Sequence, residues 1–66
     1  MQPHQQRVIT EKAELSEKVD KLEKFISGSV YSSLPAAEQM RLSRQLLIMQ
    51  LYEQVLSERI GAFEQS

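Results

Sequence analysis

The sequence predicts an all-α fold: an antiparallel two-helix hairpin that assembles into a homo-oligomeric helical bundle. Three observations point to it. Apolar residues recur at three- and four-residue steps through two long stretches, which is the helical period. Gly28 and Pro35 bracket a short serine-rich break between them. The second stretch is apolar on more sides than one neighbouring helix covers, so copies of the chain are expected to associate.

The first helix is expected over about residues 4–27 of a single hairpin domain, 1–66. Pro3 suits a first helical turn, where its missing N–H is not needed. Val8, Leu15, Val19, Leu22, Phe25 and Ile26 keep helical spacing, with no Gly or Pro from His4 to Ser27. Glu14–Lys18, Glu17–Lys21 and Asp20–Lys24 are opposite charges four apart with the acid first, the orientation that supports a helix by a few tenths of a kcal/mol per pair. Lys18, Lys21 and Lys24 then read as a solvated face.

Gly28 sits where a C-terminal cap is expected. The connection, about 28–34, carries Val30, Tyr31 and Leu34, which are expected to fold back and plug the end of the core. Pro35 is expected in the first turn of the second helix, which runs to about residue 63 through the helix formers Ala36 to Met40. Leu42, Leu46, Met49, Leu56, Ile60 and Phe63 form its main stripe. Ile48, Tyr52 and Val55 extend that stripe, and Leu47 and Leu51 lie towards the back. Met40 and Met49 read as core filler. A turn near Tyr31 places Leu22 beside Leu42, Val19 beside Leu46 and Leu15 beside Met49.

Size forces the association argument. A chain of 66 residues shelters little surface, and at about 1.5 kcal/mol of ordering entropy per residue its hydrophobic gain is largely cancelled. There is no cysteine and one histidine, His4, so disulfides and thiolate metal sites are excluded and no metal or cofactor is expected. Partner subunits remain, as a dimer or tetramer. Eight basic against nine acidic side chains, net −1, argue against the broad positive surface that DNA binding needs. A helix-turn-helix reader also wants a basic recognition helix, and Arg41, Arg44 and Arg59 are spread along an apolar one. No apolar run is long enough for a membrane span and no signal-peptide pattern opens the chain, so it reads as soluble and cytoplasmic.

Catalysis has little support. No Ser/His/Asp spacing, Gly-rich phosphate loop or pair of carboxylates lining a cleft is present, and the chain is predicted not to be an enzyme. His4 reads as a surface residue, and Arg41 and Arg44 as surface or inter-subunit ion pairs. The chemistry concentrates where the apolar seam breaks: Glu11 between Val8 and Leu15, and Glu53 between Met49 and Leu56, with Arg7, Tyr52 and Arg59 nearby. Polar residues set into an apolar stripe are costly unless paired. The cluster has two readings. One is an ion-pair network that fixes register and oligomer state, with Arg59 reaching Glu11. The other is a pocket where hairpins meet, the arginines holding phosphates and Tyr52 stacking on a flat ring.

Pro3-His4-Gln5-Gln6-Arg7-Val8, Glu11-Lys12, Leu15, Lys18, Lys21-Leu22 and Phe25-Ile26, followed by Leu34-Pro35, Glu38, Leu42, Gln45-Leu46, Met49, Tyr52, Leu56 and Arg59-Ile60, cover essentially the whole chain. In this pattern the chain resembles a family of small helical-hairpin proteins of tailed bacteriophages, first named from a crAss-like phage. It is similar to phage anti-CBASS sponges, which bind the cyclic nucleotide messenger of bacterial defence without catalysis. The resemblance implies immune evasion in the host cytoplasm, a cyclic di- or trinucleotide ligand, and Arg7, Glu11, Lys12, Tyr52 and Arg59 as ligand-binding positions. The two-fold symmetry of a cyclic dinucleotide would match identical Arg and Tyr residues from two copies. The alternative is an oligomeric helical protein that binds a host or phage protein through helix 2.

Overall fold

The computed structural model describes residues 2–63; Met1 and residues 64–66 of the expected 1–66 domain lie outside the described residues. Helix α1 spans Pro3–Ile26, α2 is a single turn over Ser29–Ser33, and α3 spans Ala36–Ala62. Pro3 occupies the first turn of α1, and the Gln2 N–H donates to Gln5 Oε1 at 3.0 Å, satisfying one donor at the helix start. The two long helices lie side by side and antiparallel, as a rod whose Cα atoms extend 48 × 14 × 14 Å.

Val8, Leu15, Val19 and Leu56 are buried, with Leu46, Met49, Ile60 and Phe63 packed partly against them. On α3 the contact stripe alternates steps of three and four from Leu42 through Leu46, Met49, Glu53, Leu56 and Ile60 to Phe63, the seam geometry of packed helices. The other side of α3 stays bare: Leu47, Ile48, Leu51 and Val55 are 57%, 59%, 54% and 50% exposed. Among the described residues no helix is long and apolar enough to cross a membrane.

Several local expectations are corrected. Gly28 directly follows the C-cap, Ser27, and its N–H donates to the Phe25 carbonyl at 3.1 Å, but it is not left-handed. Ser27 does most of the capping, its N–H donating to the Glu23 carbonyl at 3.2 Å and its Oγ to the Glu23 and Lys24 carbonyls, so no left-handed residue is required. The connection is itself a helical turn, and adjacent residues on a helix point about 100° apart. Tyr31 and Leu34 therefore turn inward while Val30 is 59% exposed. Pro35 precedes α3 as its N-cap, its carbonyl accepting from the Glu38 and Gln39 N–H groups. Met40, expected as core filler, is 73% exposed because it lies on the bare side of α3. Of the three expected ion pairs on α1, Asp20–Lys24 forms at 3.0 Å; Glu14–Lys18 and Glu17–Lys21 do not, as befits solvated side chains with little to gain.

The register differs by more than a helical turn from the expected one. Ser16 Oγ donates to Glu53 Oε2, and Tyr31 Oη donates to the Gln39 carbonyl at 3.0 Å. Ser16 stands as far before Leu34 as Glu53 stands after Pro35, so the chain reverses at Leu34–Pro35, both in extended conformation. Because α2 comes before the reversal, the turn lies later than Tyr31 and every residue of α1 meets a later part of α3. Leu15 therefore lies beyond Met49, near Leu56. Lacing holds the turn: Tyr31, its one proton given to Gln39, accepts from Ser43 Oγ at 2.8 Å, and Gln39 Nε2 donates to the Leu34 carbonyl at 2.9 Å.

Leu56 is fully buried. Truncation of such a side chain costs about 2–5 kcal/mol, a large part of what a domain this small has. Leu56→Ala is expected to lose cooperative melting of its helical circular dichroism, whereas Leu51→Ala should leave the hairpin itself formed.

Candidate functional site

The open end of the hairpin, away from the Leu34–Pro35 turn, brings the first half of α1 against the second half of α3. Here polar residues enter the seam beside its well-buried apolar ones, Val8 and Leu56. Lys12 occupies the α1 seam position between Val8 and Leu15, and Glu53 the α3 position between Met49 and Leu56; both are half-buried. Glu11, expected as the break in the α1 stripe, flanks that position and is also half-buried. Glu53 is satisfied by the Ser16 hydroxyl and not by an arginine. Ser16 was not among the expected site residues; the signal that finds it is the register, which depends on where the chain turns.

Residues four and seven apart share a line along a helix. Arg7, Glu11 and Lys18 follow one flank of α1, while Lys12 and Ser16 follow the other. The Ser16–Glu53 bond fixes which flank of α3 meets which, and it sets Tyr52 and Arg59 on the same side of the hairpin as Arg7 and Glu11. In this register Arg59 lies level with Thr10 and Glu11, and Tyr52 lies two turns, about 10 Å, nearer the turn. Lys12 is on the opposite side, lining a groove of about 530 Å³ with Ile9, Ala13, Ser57, Ile60 and Gly61. Four of the five expected positions thus share one side, and Lys12 does not join them.

The four remain open to solvent or nearly so. Arg7 and Arg59 are exposed, Tyr52 is 43% exposed, and Glu11 is half-buried. Arg7, Glu11 and Arg59 form no ion pair among the described residues, where the pairs are Lys24–Asp20 and Arg41–Glu38. Within one chain the cluster is therefore not a closed ion-pair network. Two guanidiniums with free donor forks and an accessible phenol ring are the groups that grip phosphate and stack on a base. Tyr52 also borders the bare apolar side of α3, next to Ile48 and Val55. A second groove, about 620 Å³, lies at the turn end and is lined by Tyr31, Met40, Arg41, Ser43 and Arg44 among others. No group of three or more His, Cys, Asp or Glu side chains among the described residues is placed to hold a metal ion.

A family model described as Sequestin matches residues 2–62, from the N-cap of α1 to the last residue of α3. The chain belongs to the Sequestin family. The name denotes sequestration, a binding role, and the match takes in both long helices, the turn and all of Arg7, Glu11, Lys12, Tyr52 and Arg59. No match was found among curated proteins or solved structures.

Ser16→Ala leaves the half-buried Glu53 carboxylate without its hydroxyl donor. Loss of a hydrogen bond to a charged group costs about 1.5–3 kcal/mol. Urea denaturation should show a midpoint lowered accordingly, and Ser16→Thr, which keeps the hydroxyl, should recover most of the loss.

Proposed function

We propose that this Sequestin family member is a phage-encoded sponge that sequesters a cyclic nucleotide messenger of bacterial anti-phage defence, without turning it over. Membership of the Sequestin family over residues 2–62 carries this reading. The shared side of Arg7, Glu11, Tyr52 and Arg59 supports it chemically. Arginine forks suit the ligand's phosphates, the Tyr52 ring suits a base face, and Glu11 offers acceptors for a ribose hydroxyl or an exocyclic amine. One hairpin is convex and only 14 Å across, so it offers no enclosure by itself. An enclosing pocket needs a second copy, which brings an identical set of arginines and tyrosines against a ligand that carries repeated phosphates and bases. Sequestration asks for affinity alone, and affinity is what an assembly of small helices provides without a catalytic constellation.

Calorimetric titration of the purified chain with a panel of cyclic di- and trinucleotides should show submicromolar binding by at least one, with the ligand recovered chemically intact. Tyr52→Ala should weaken it by about 1–3 kcal/mol, the worth of one stacked base. Arg7→Ala or Arg59→Ala should weaken it by a similar amount while the oligomer persists. Absence of heat from the whole panel at high protein concentration would overturn the proposal. Capture of a defined protein by a folded chain that binds no nucleotide would favour the interaction-protein alternative.

A further inference from the structure

The bare side of α3 has a pattern that reads the same from both ends. Leu51 stands at its centre, with Leu47 and Val55 four residues to either side. Three residues further out stand Arg44 and Glu58, and four beyond those Met40 and Ala62. Steps of four, three and four average about 3.67 residues, so the row runs nearly straight along one side of the helix. This side faces away from α1: Leu47, Leu51 and Val55 are half or more exposed, and Arg44 and Glu58 are exposed with no ion pair among the described residues.

We propose that a second copy of this chain docks on this row, α3 against α3, antiparallel, about a two-fold axis through Leu51. A two-fold interface must be self-complementary, each residue meeting the one at the mirrored position. In that arrangement Leu51 meets Leu51 of the second copy, Leu47 meets Val55, and Met40 meets Ala62. Arg44 of each copy meets Glu58 of the other, which closes the apolar row with an opposite-charge pair at each end. A parallel arrangement would set Arg44 against Arg44 and Glu58 against Glu58, two repulsions in place of two attractions. Charge complementarity therefore selects both the occupant and its direction. The same axis leaves the two Tyr52 rings on one side of the dimer, flanking the dyad, each with its own Arg59 about 10 Å further along its helix. The interface needs no ligand, so it can stand or fall independently of nucleotide sequestration.

The chain has no cysteine, which makes a crosslinking test direct. Leu51→Cys places two thiols across the proposed dyad and should give a covalent dimer under mild oxidation at micromolar protein. Gln50→Cys, turned about 100° away, should remain largely uncrosslinked. Arg44→Glu and Glu58→Arg should each weaken self-association about tenfold or more in sedimentation, since each creates two like-charged pairs per dimer. The double variant Arg44→Glu/Glu58→Arg should restore it to near the parent value. Equal crosslinking at residues 50 and 51, a charge-reversed double no better than the singles, or a parent chain that sediments as a folded monomer at tens of micromolar overturns the proposal.

Discussion

The fit of α1 along α3 governs the rest of this chain, because the buried side chains Val8, Leu15, Val19 and Leu56 all belong to that contact. Its register is set by hydrogen bonds at the turn and midway along the seam. At the turn, Tyr31 and Gln39 tie α2 and the Leu34–Pro35 reversal to the first turns of α3. Midway along the seam, Ser16 and Glu53 meet. Apolar stripes slide past one another at modest cost, whereas a half-buried carboxylate with one available hydroxyl has a single low-energy position. The polar interruption thus specifies the alignment that the leucines stabilise. That alignment in turn sets Tyr52 and Arg59 on the same side of the hairpin as Glu11 and Arg7.

The same contact leaves a surplus. A compact monomer of this mass exposes about 4,300 Å² by the usual scaling, and this chain exposes 5028 Å². Part of the excess is the rod shape. The opposite side of α3 adds to it, with Leu47, Ile48, Leu51 and Val55 half or more exposed. A helix apolar on two opposite sides is suited to the middle of a larger bundle. For a protein of the Sequestin family that property and the binding role point the same way. In the proposed assembly, burial of the second face would create clefts between hairpins, and Tyr52 stands at the edge of that face.

Much of the fold was legible because helices announce themselves locally. The three- and four-residue spacing from Val8 to Ile26 and from Leu42 to Phe63 needs no tertiary knowledge. What failed was decided by contacts that the sequence does not print. Gly28 looked like a cap by residue type, but Ser27 satisfies the terminal carbonyls with its own hydroxyl. The turn was placed at Tyr31 because α2, a single turn lacking apolar periodicity, reads as loop; moving the reversal to Leu34–Pro35 shifts every cross-helix pair. At the candidate site, residue chemistry singled out Arg7, Glu11, Tyr52, Glu53 and Arg59; the register puts four of them on one side and ties Glu53 to Ser16 across the seam. Lys12 failed to join them for a geometric reason: it is adjacent to Glu11 in sequence, and adjacent residues on a helix face different ways.

The uneven build of the seam also bears on how binding and stability are coupled. The turn end is laced by Tyr31, Gln39 and Ser43, while the open end substitutes Lys12 and Glu53 for apolar residues within the contact stripe. Val8 and the fully buried Leu56, with Ile60 and Phe63 packed on the core, belong to that same half, and local stability follows buried apolar contact. The exposed arginines and Tyr52 lie there. A ligand bound only by the closed arrangement adds RT ln(1 + [L]/Kd) to its stability, about 2.7 kcal/mol at a hundredfold excess over Kd. For a domain with four buried residues among those described, that increment is a substantial fraction of the total. The half of the seam that buries Val8 and Leu56 and so holds the hairpin shut is thereby also the half that a bound ligand would reinforce.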